Sequence, residues 1–363
     1  MPIILHLWKK FFKSTLLRFR LIKVIMLVVC LNLFFGLLFY LAETKVQEGL
    51  SLYDGIWWAM VTMTTVGYGD YYPHSSVGRF LVSFPCMLVG IGVVGYLVGV
   101  VADSVINELT RKKRGLVKIK EKNHIIICNN PGTDKILALV TELKLHPDYT
   151  DSVFVLITDN LTELPEDLVK KNIRFVKGDP IREDVLVNAN VSKCKGVFVL
   201  AVDPMNPQSD AKNFATATII ELIEREIGRP IKVVVEMVSS NNIPMMKRSM
   251  VDGIVSTEGI TDCLMVQEFL YPGVHDIIQQ IVSNTVGSQF YIFDTTLQGH
   301  TVFDIQVAVL KHPANLQVIG IIRQGKPILN PAKKVVIKQD DKLIMLAENR
   351  RDFESIENDI LNQ

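Results

Sequence analysis

A surplus of charge of either sign is missing from this sequence. Across 363 residues, 39 Lys and Arg stand against 38 Asp and Glu, a formal net charge of +1. With no broad field to hold a polyanion, nucleic acid is not expected as a partner. Cysteine is scarce as well. Cys30 and Cys86 lie in apolar runs, and Cys128, Cys194 and Cys263 are scattered without CxxC or Cys/His ligand spacing, so they are read as reduced core residues and not metal ligands. The chain also lacks GxGxxG at the end of its first β-branched run, and a convincing constellation of catalytic His, Cys or Lys near it, which makes a membrane-tethered dinucleotide enzyme a disfavoured alternative.

Apolar residues are abundant instead. They make up 48% of the chain, the mean hydropathy is +0.27, and the excess sits mostly in the first hundred residues. Val24 to Ala42 and Phe80 to Ala102 carry no charge, so each is expected to cross the hydrocarbon layer as a helix of about 20 residues. A cleaved signal peptide is the weaker reading of the first, because a long basic, aromatic stretch precedes it. Lys9, Lys10, Lys13, Arg18, Arg20 and Lys23 precede the first run, and Arg111, Lys112, Lys113 and Arg114 follow the second. This predicts a multi-pass protein of the cell (inner) membrane with both termini cytoplasmic. Residues 3 to 20 read either as a surface helix anchored by Trp8, Phe11 and Phe12 or as a frayed basic tail.

Between the runs, Ser51 and Asp54 have the spacing of a capping box, and YDGIWWAMVTMT after Ser51 reads as a short helix that dips into the membrane without crossing it. The negative end of its dipole would favour a cation on the axis where several such helices converge. TTVGYGD follows at 64 to 70. Gly67 and Gly69 tolerate backbone angles that let successive carbonyls face one side.

These residues resemble the filter of potassium channels. The resemblance implies a homotetramer with K+ as permeant ion, coordinated by carbonyls of Thr65, Val66, Gly67 and Tyr68 and by the Thr65 hydroxyl, with Gly69 completing the signature. It also implies that Trp58 and Tyr68 brace the filter and that the Trp58 indole donates to Asp70. Val61 stands where some relatives carry a buried acid. No series of spans with regularly spaced arginines accompanies the motif, so voltage sensing of the usual kind is not expected. In the second span, Gly90 or Gly92 is the candidate hinge, Gly95 and Gly99 offer close packing as the alternative, and Leu97 or Val101 is the candidate inner constriction.

From His124 onward the pattern changes. HIIIC, SVFVLIT, IRFVKGD, KGVFVLAVD and KVVVEMV are β-branched apolar runs separated by helical stretches, which predicts a doubly wound parallel sheet of Rossmann type. Together with GDPIREDVLVNANVSKCKGVFVLAVD and GHTVFDIQVAVL, these runs resemble the RCK domain that regulates potassium conductance, with TrkA-N and TrkA-C lobes. Where GxGxxG would stand, the chain has Asn129, Asn130, Pro131 and Gly132. Asn130 is expected to cap the next helix with Pro131 at its first position, leaving amides near Gly132 for an anion. Asp159 takes the place of a ribose-binding acid or is a strand-end turn residue. NAD or an adenine nucleotide is therefore one candidate effector. Ca2+ is the other, through Asp210 and Glu236 by likeness to calcium-gated relatives, although Val238 stands where a further acid would complete the cluster.

The expected division is a pore domain at 1–106 (spans 24–42 and 80–106, pore helix and filter 52–70), a linker at 107–122 and a Rossmann-type lobe at 123–256. A helical bridge at 257–284 and a small α+β lobe at 285–363, with LQVIGII, KVVIK and LIMLA as strand signals, complete it. The bridge is either an RCK–RCK dimer contact or ordinary core. A ring of cytoplasmic lobes would pull the second spans on binding ligand. The alternatives are a weakly selective cation channel and a regulatory part that serves only as an assembly scaffold.

Overall fold

Uncharged runs of about twenty residues have one stable way to satisfy their backbone away from water, and both runs take it. The computed structural model describes residues 15–256, 258–284, 287–313, 315–348, 353 and 356–357, so most of the 3 to 20 stretch lies outside the described residues. Two units divide the chain, Met1–Lys112 and Lys113–Gln363.

In the first unit, α1 spans Thr15–Glu43, α2 Leu52–Met63 and α3 Phe84–Lys113, with a π-helical turn at Gly78–Ser83 leading into α3. The capping box forms as its spacing predicts. The Ser51 hydroxyl accepts from the Asp54 amide at 3.3 Å, and the Ser51 amide donates to Asp54 Oδ2 at 2.9 Å. A small core of Phe35, Phe39, Trp58, Ala59, Met63, Val82 and Cys86 joins the three helices. Close approach is made by missing side chains. A Cβ on Gly36 would stand 2.7 Å from Ile56 Cα, and one on Gly90 would stand 2.6 Å from Met63 Cα.

Outside this core the long helices are bare. Only 22% of the apolar window in Ile22–Glu43 and 11% of that in Gly78–Lys113 is buried. A core helix of a water-soluble protein would hide most of such a surface. The exposed apolar faces of α1, of the π-helical turn and of α3, with Phe34, Leu41, Phe80, Leu81 and Ile91 among them, are those of a membrane protein.

The second unit holds a six-stranded parallel sheet in the order β3-β2-β1-β4-β5-β6. Its strands are β1 (Ile125–Cys128), β2 (Phe154–Thr158), β3 (Arg174–Lys177), β4 (Gly196–Val199), β5 (Lys232–Met237) and β6 (Gly253–Ser256). Every residue of β1 and β2 is buried, because helices cover both faces, and this is why those runs are continuously apolar and not alternating. The covering helices are α4 (Thr133–Leu145), α5 (Glu166–Lys170), α6 (Glu183–Asn188), α7 (Ser209–Ile227) and α8 (Ile243–Met246). The edge strand β6 has no counterpart among the sequence-predicted strands. Its four residues, GIVS, are too few to show a period.

Two helices follow, α9 (Ile260–Leu270) and α10 (Val274–Val282). An antiparallel sheet ordered β7-β10-β8-β9 comes next, formed by β7 (Gln289–Asp294), β8 (Leu316–Arg323), β9 (Lys326–Leu329) and β10 (Lys342–Ala347), with α11 (Val302–Lys311) between β7 and β8. Of the strand signals in this lobe, KVVIK corrects to a loop in which Val336 makes one isolated bridge to Thr301. The Arg323 guanidinium donates to the Val336 carbonyl at 2.8 Å, and the Ile337 amide donates to the His300 carbonyl at 3.0 Å, so this backbone is satisfied outside any ladder.

Candidate functional site

The first candidate site is the segment leaving α2. Its amides fold back on the helix that precedes them: Thr65 N donates to Thr62 O at 3.1 Å, and Val66 N and Gly67 N both donate to Val61 O, at 3.1 and 3.3 Å. Thr65, Gly67 and Gly69 have positive φ of 60°, 57° and 77°. A chain whose handedness reverses at every second residue carries its carbonyls along one side instead of alternating them. Among the described residues no donor takes the carbonyls of residues 65 to 68. A Cβ on Gly67 or Gly69 would meet nothing within 4 Å, so their backbone angle requires glycine and packing does not. The arrangement can offer a column of oxygens to a cation, one column per subunit.

The residue that braces this segment needs correcting. Trp57, not Trp58, reaches Asp70: its Nε1 donates to Asp70 Oδ2 at 2.7 Å, and its ring stacks on Tyr68 with centroids 6.0 Å apart and planes at 5°. Trp58 points the other way, into the core, stacked on Phe39 at 4.0 Å and 14°. Neighbours on a helix stand 100° apart, so one indole of the pair faces the segment at 64 to 70 and the other faces α1. The sequence signal that could have chosen between them is spacing, since Trp58 shares a face with Gly55 and Val61, both buried.

On α3, Gly90 is pressed against the last turn of α2, while Gly92, Gly95 and Gly99 meet nothing within 4 Å in the subunit. The helix runs unbroken past all of them to Lys113. Val101 is exposed and Leu97 half-buried.

The second candidate site is the crevice at the carboxyl ends of β1, β2 and β4. The expected cap is not formed. Helix α4 begins at Thr133 with Gly132 before it at φ 141°, two residues past the predicted start at Pro131. The Asn130 side-chain oxygen accepts from the Gly132 amide at 3.1 Å. That amide, which a ligand oxygen would otherwise take, is therefore held by the loop itself. Asn160 ties the loop further, its Nδ2 donating to the Asn130 carbonyl at 3.0 Å. Asp159 is half exposed and paired with Lys212 at 3.4 Å, and the same ammonium lies 3.1 Å from Asp179. Lys212 and Asp179 were not chosen from the sequence, because nothing in the spacing of residues 159, 179 and 212 links them before the sheet is assembled.

The candidate metal ligands have other partners. Asp210 is buried and accepts from Val238 N at 2.7 Å, Ser239 N at 3.0 Å and Asn242 Nδ2 at 2.8 Å, which fastens the start of α7 to the end of β5. Glu236 is paired with Lys135 at 2.5 Å and accepts from the Ala201 amide at 3.0 Å. Among the described residues no group of three or more His, Cys, Asp or Glu could hold a metal ion.

Three family models match successive stretches of the chain. Residues 26–107 match the family described as ion channel. Residues 120–245 match the calcium-activated potassium channel slowpoke-like RCK domain, and 258–361 match Castor and Pollux, part of voltage-gated ion channel. The chain is thus an ion-channel pore joined to an RCK regulatory domain. Its homologues include potassium channels. It is 26% identical over 315 residues to the calcium-gated potassium channel TvoK of Thermoplasma volcanium, covering 86% of each chain. It is 25% identical over 327 residues to YugO of Bacillus subtilis, classed with potassium channels, covering 90% of this chain and 95% of that one. Over 64% of its length the chain shares its fold with the human SLO3 gating ring, at TM-score 0.51 and 15% identity and over 45% of that chain.

Proposed function

We propose that the chain is one of four identical subunits of a potassium-selective channel in the cell membrane, with both termini cytoplasmic, opened and closed by a ligand on its RCK domain. The alternation of positive φ at Thr65, Gly67 and Gly69, with the amides of 65 to 67 tied back to α2, carries the reading. Four such segments around an axis replace the water of a dehydrated K+ with rings of carbonyls from Thr65, Val66, Gly67 and Tyr68. A bi-ionic reversal potential from purified channels in bilayers tests it, and equal permeation by Na+ and K+ refutes it.

For the ligand, the crevice favours an adenine nucleotide over a divalent cation. The first-turn amides of α4 remain for a phosphate, and Asp159 stays half exposed beside Lys212, within reach of a ribose, whereas the more deeply placed carboxylates of Asp210 and Glu236 already hold protein donors. The relative TvoK is calcium-gated, so the recording that adds nucleotides to the inner side includes Ca2+ as its second arm. Opening by Ca2+ alone, unaltered in Asp159→Ala, sinks the nucleotide reading.

The bridge helices support assembly through the RCK domains. Met265, Phe269 and Val282 are 68%, 86% and 67% exposed, an apolar surface suited to a second copy of the domain. Helix α3 would then carry the pull of the assembled domains to Leu97 or Val101.

A further inference from the structure

The sequence predicts a linker at 107–122, but α3 itself runs on to Lys113, and the residues that follow are fastened to the second unit in two places. In the first, the Leu164 amide donates to the Lys113 carbonyl at 2.9 Å, the Arg114 guanidinium donates to Glu163 Oε1 at 2.8 Å, and the Lys177 amide donates to the Gly115 carbonyl at 3.0 Å. Gly115 is buried at φ 67°. A Cβ on it would stand 2.4 Å from Lys177 N and 2.8 Å from Phe175 Cδ1, so both the backbone angle and the space demand glycine. In the second place, Ile119 N donates to the Asn188 carbonyl at 2.8 Å, Asn123 N donates to the Lys193 carbonyl at 2.8 Å, and Asn190 Nδ2 donates to the Glu121 carbonyl at 2.7 Å. Between the two, Leu116 and Lys118 are exposed, and among the described residues no backbone bond ties 116 to 118.

The first fastening lies at the rim of the crevice. Glu163 and Leu164 belong to the loop that leaves β2 and opens with Asp159, while Lys177 ends β3 two residues before Asp179. Lys212 pairs with both of these carboxylates, at 3.4 and 3.1 Å, and the Gly178 amide donates to the Thr158 carbonyl at 3.0 Å. The two loops that carry Asp159 and Asp179 are therefore tied to each other, and they are the same two that hold the end of α3. We propose that Lys113–Gly115 is the joint through which the regulatory unit acts on the second span: a ligand that shifts the loops after β2 and β3 shifts the end of α3 with them, and residues 116–122 carry none of that motion. This deepens the proposed regulation and rests on the chain being a pore opened by a ligand on its second unit. A linker stretched over its whole length from 107 to 122 would behave differently, since slack anywhere along it would weaken the pull equally. Packed helices shift by about 1–2 Å in such transitions, whereas two inserted glycines add about 7 Å of reach. Slack of that size absorbs the motion where the chain bears load and changes nothing where it does not.

The test is single-channel recording of the full chain in bilayers with ADP added on the inner side, and Ca2+ in a separate arm, comparing the parent with two insertions. A Gly-Gly pair between Lys112 and Lys113 is expected to bring the ratio of open probability with and without ADP to about one. The same pair between Val117 and Lys118 is expected to leave that ratio within about twofold of the parent's. Unit conductance should be the parent's in both, because neither insertion touches residues 64 to 70. Equal loss of the response in both insertions, or equal retention, overturns the joint. If the first insertion does not assemble, Gly115→Ala takes its place. Its methyl group forces Lys177 away, and the ratio should fall about fivefold, as for one lost hydrogen bond; a parental ratio in that variant overturns the inference. A parent that answers to Ca2+ and not to ADP refutes the nucleotide reading alone, and the joint then stands or falls by the same two insertions under Ca2+. A parent that answers to neither refutes both.

Discussion

Gly90→Ala, set against Gly92→Ala, is the substitution pair from which the packing of the pore unit can be read most directly. Both exchanges gain the same helix propensity, about 1 kcal/mol, so that contribution cancels in the comparison. They differ in what the new methyl meets. At Gly90 it would stand 2.6 Å from Met63 Cα, 2.8 Å from Met63 O and 3.1 Å from Met63 C, all backbone, while at Gly92 nothing lies within 4 Å. Ordinary contact needs about 3.5 Å or more, so the last turn of α2 must retreat by nearly an ångström, at a cost of about 1–3 kcal/mol. That turn includes Val61, whose carbonyl holds the amides of Val66 and Gly67, so the displacement passes straight into the filter segment. The expected result is a Gly90→Ala channel that unfolds at lower temperature in detergent and whose conducting filter is disfavoured by about five- to hundredfold relative to Gly92→Ala, read as open duration at fixed ligand. Equal stability and equal open durations in the two variants would show that α3 does not bear on α2 at this position.

Three other substitutions give separate checks. Trp57→Phe keeps a ring over Tyr68 but loses the bond to Asp70, and is expected to shorten filter openings about fivefold, the effect of about 1 kcal/mol. Trp58→Phe is expected to lower thermal stability through the Phe39 contact and leave those openings alone; the reverse pattern would reinstate Trp58 as the brace. In the RCK unit, burial pushes the Glu221 carboxyl from its ordinary 4.5 up to about 7, with Glu224 and Asp252 adding to it. Between those two values the folded chain binds a proton that the unfolded chain has released, so stability falls as pH rises through that window and is flat above it. Glu221→Gln should remove the slope and raise stability by about 2–3 kcal/mol at pH 8, measured by denaturant unfolding of the full chain, and an unchanged slope would place the titration elsewhere. Asp341 is buried and receives the Arg323 guanidinium at 2.6 Å, which holds its carboxyl below the usual carboxylate range. Asp341→Asn is expected to destabilise the C-terminal lobe by about 3 kcal/mol, and calorimetry showing no loss would mean that the pair does not support that lobe.

Reading from the chain alone reached furthest where one local signal suffices. An uncharged run long enough to span a bilayer leaves its backbone no alternative to a helix, Ser51 and Asp54 cap within a single turn, and β1 and β2 declare themselves as buried parallel strands by unbroken apolar runs. The motif at 64 to 70 carried its own chemistry, because glycine at two alternate places is enough to admit the reversed handedness. Short or shared features were illegible. GIVS of β6 gains its partner only from the position of β5, and KVVIK looks like a strand until its bonds to His300, Thr301 and Arg323 are seen.

The amino-acid sequence by itself determined that this is a membrane protein with two long apolar helices flanking a short helix and the TTVGYGD loop, followed by a Rossmann-type part, since each of these follows from periodicity, hydropathy and backbone freedom over a few residues. Which side chains meet was decided by tertiary structure. The choice of Trp57 over Trp58 turns on 100° of helix rotation, the burial of Gly90 against Met63 on how two helices cross, and the meeting of Lys113 and Gly115 with Leu164 and Lys177 on a chain that returns past them more than fifty residues later. The same holds in the crevice, where Lys212 lies between Asp159 and Asp179 and Asp210 is spent on fastening α7 to β5. Contacts between distant residues depend on geometry that no local pattern encodes, and they decide which of the legible motifs are free to act.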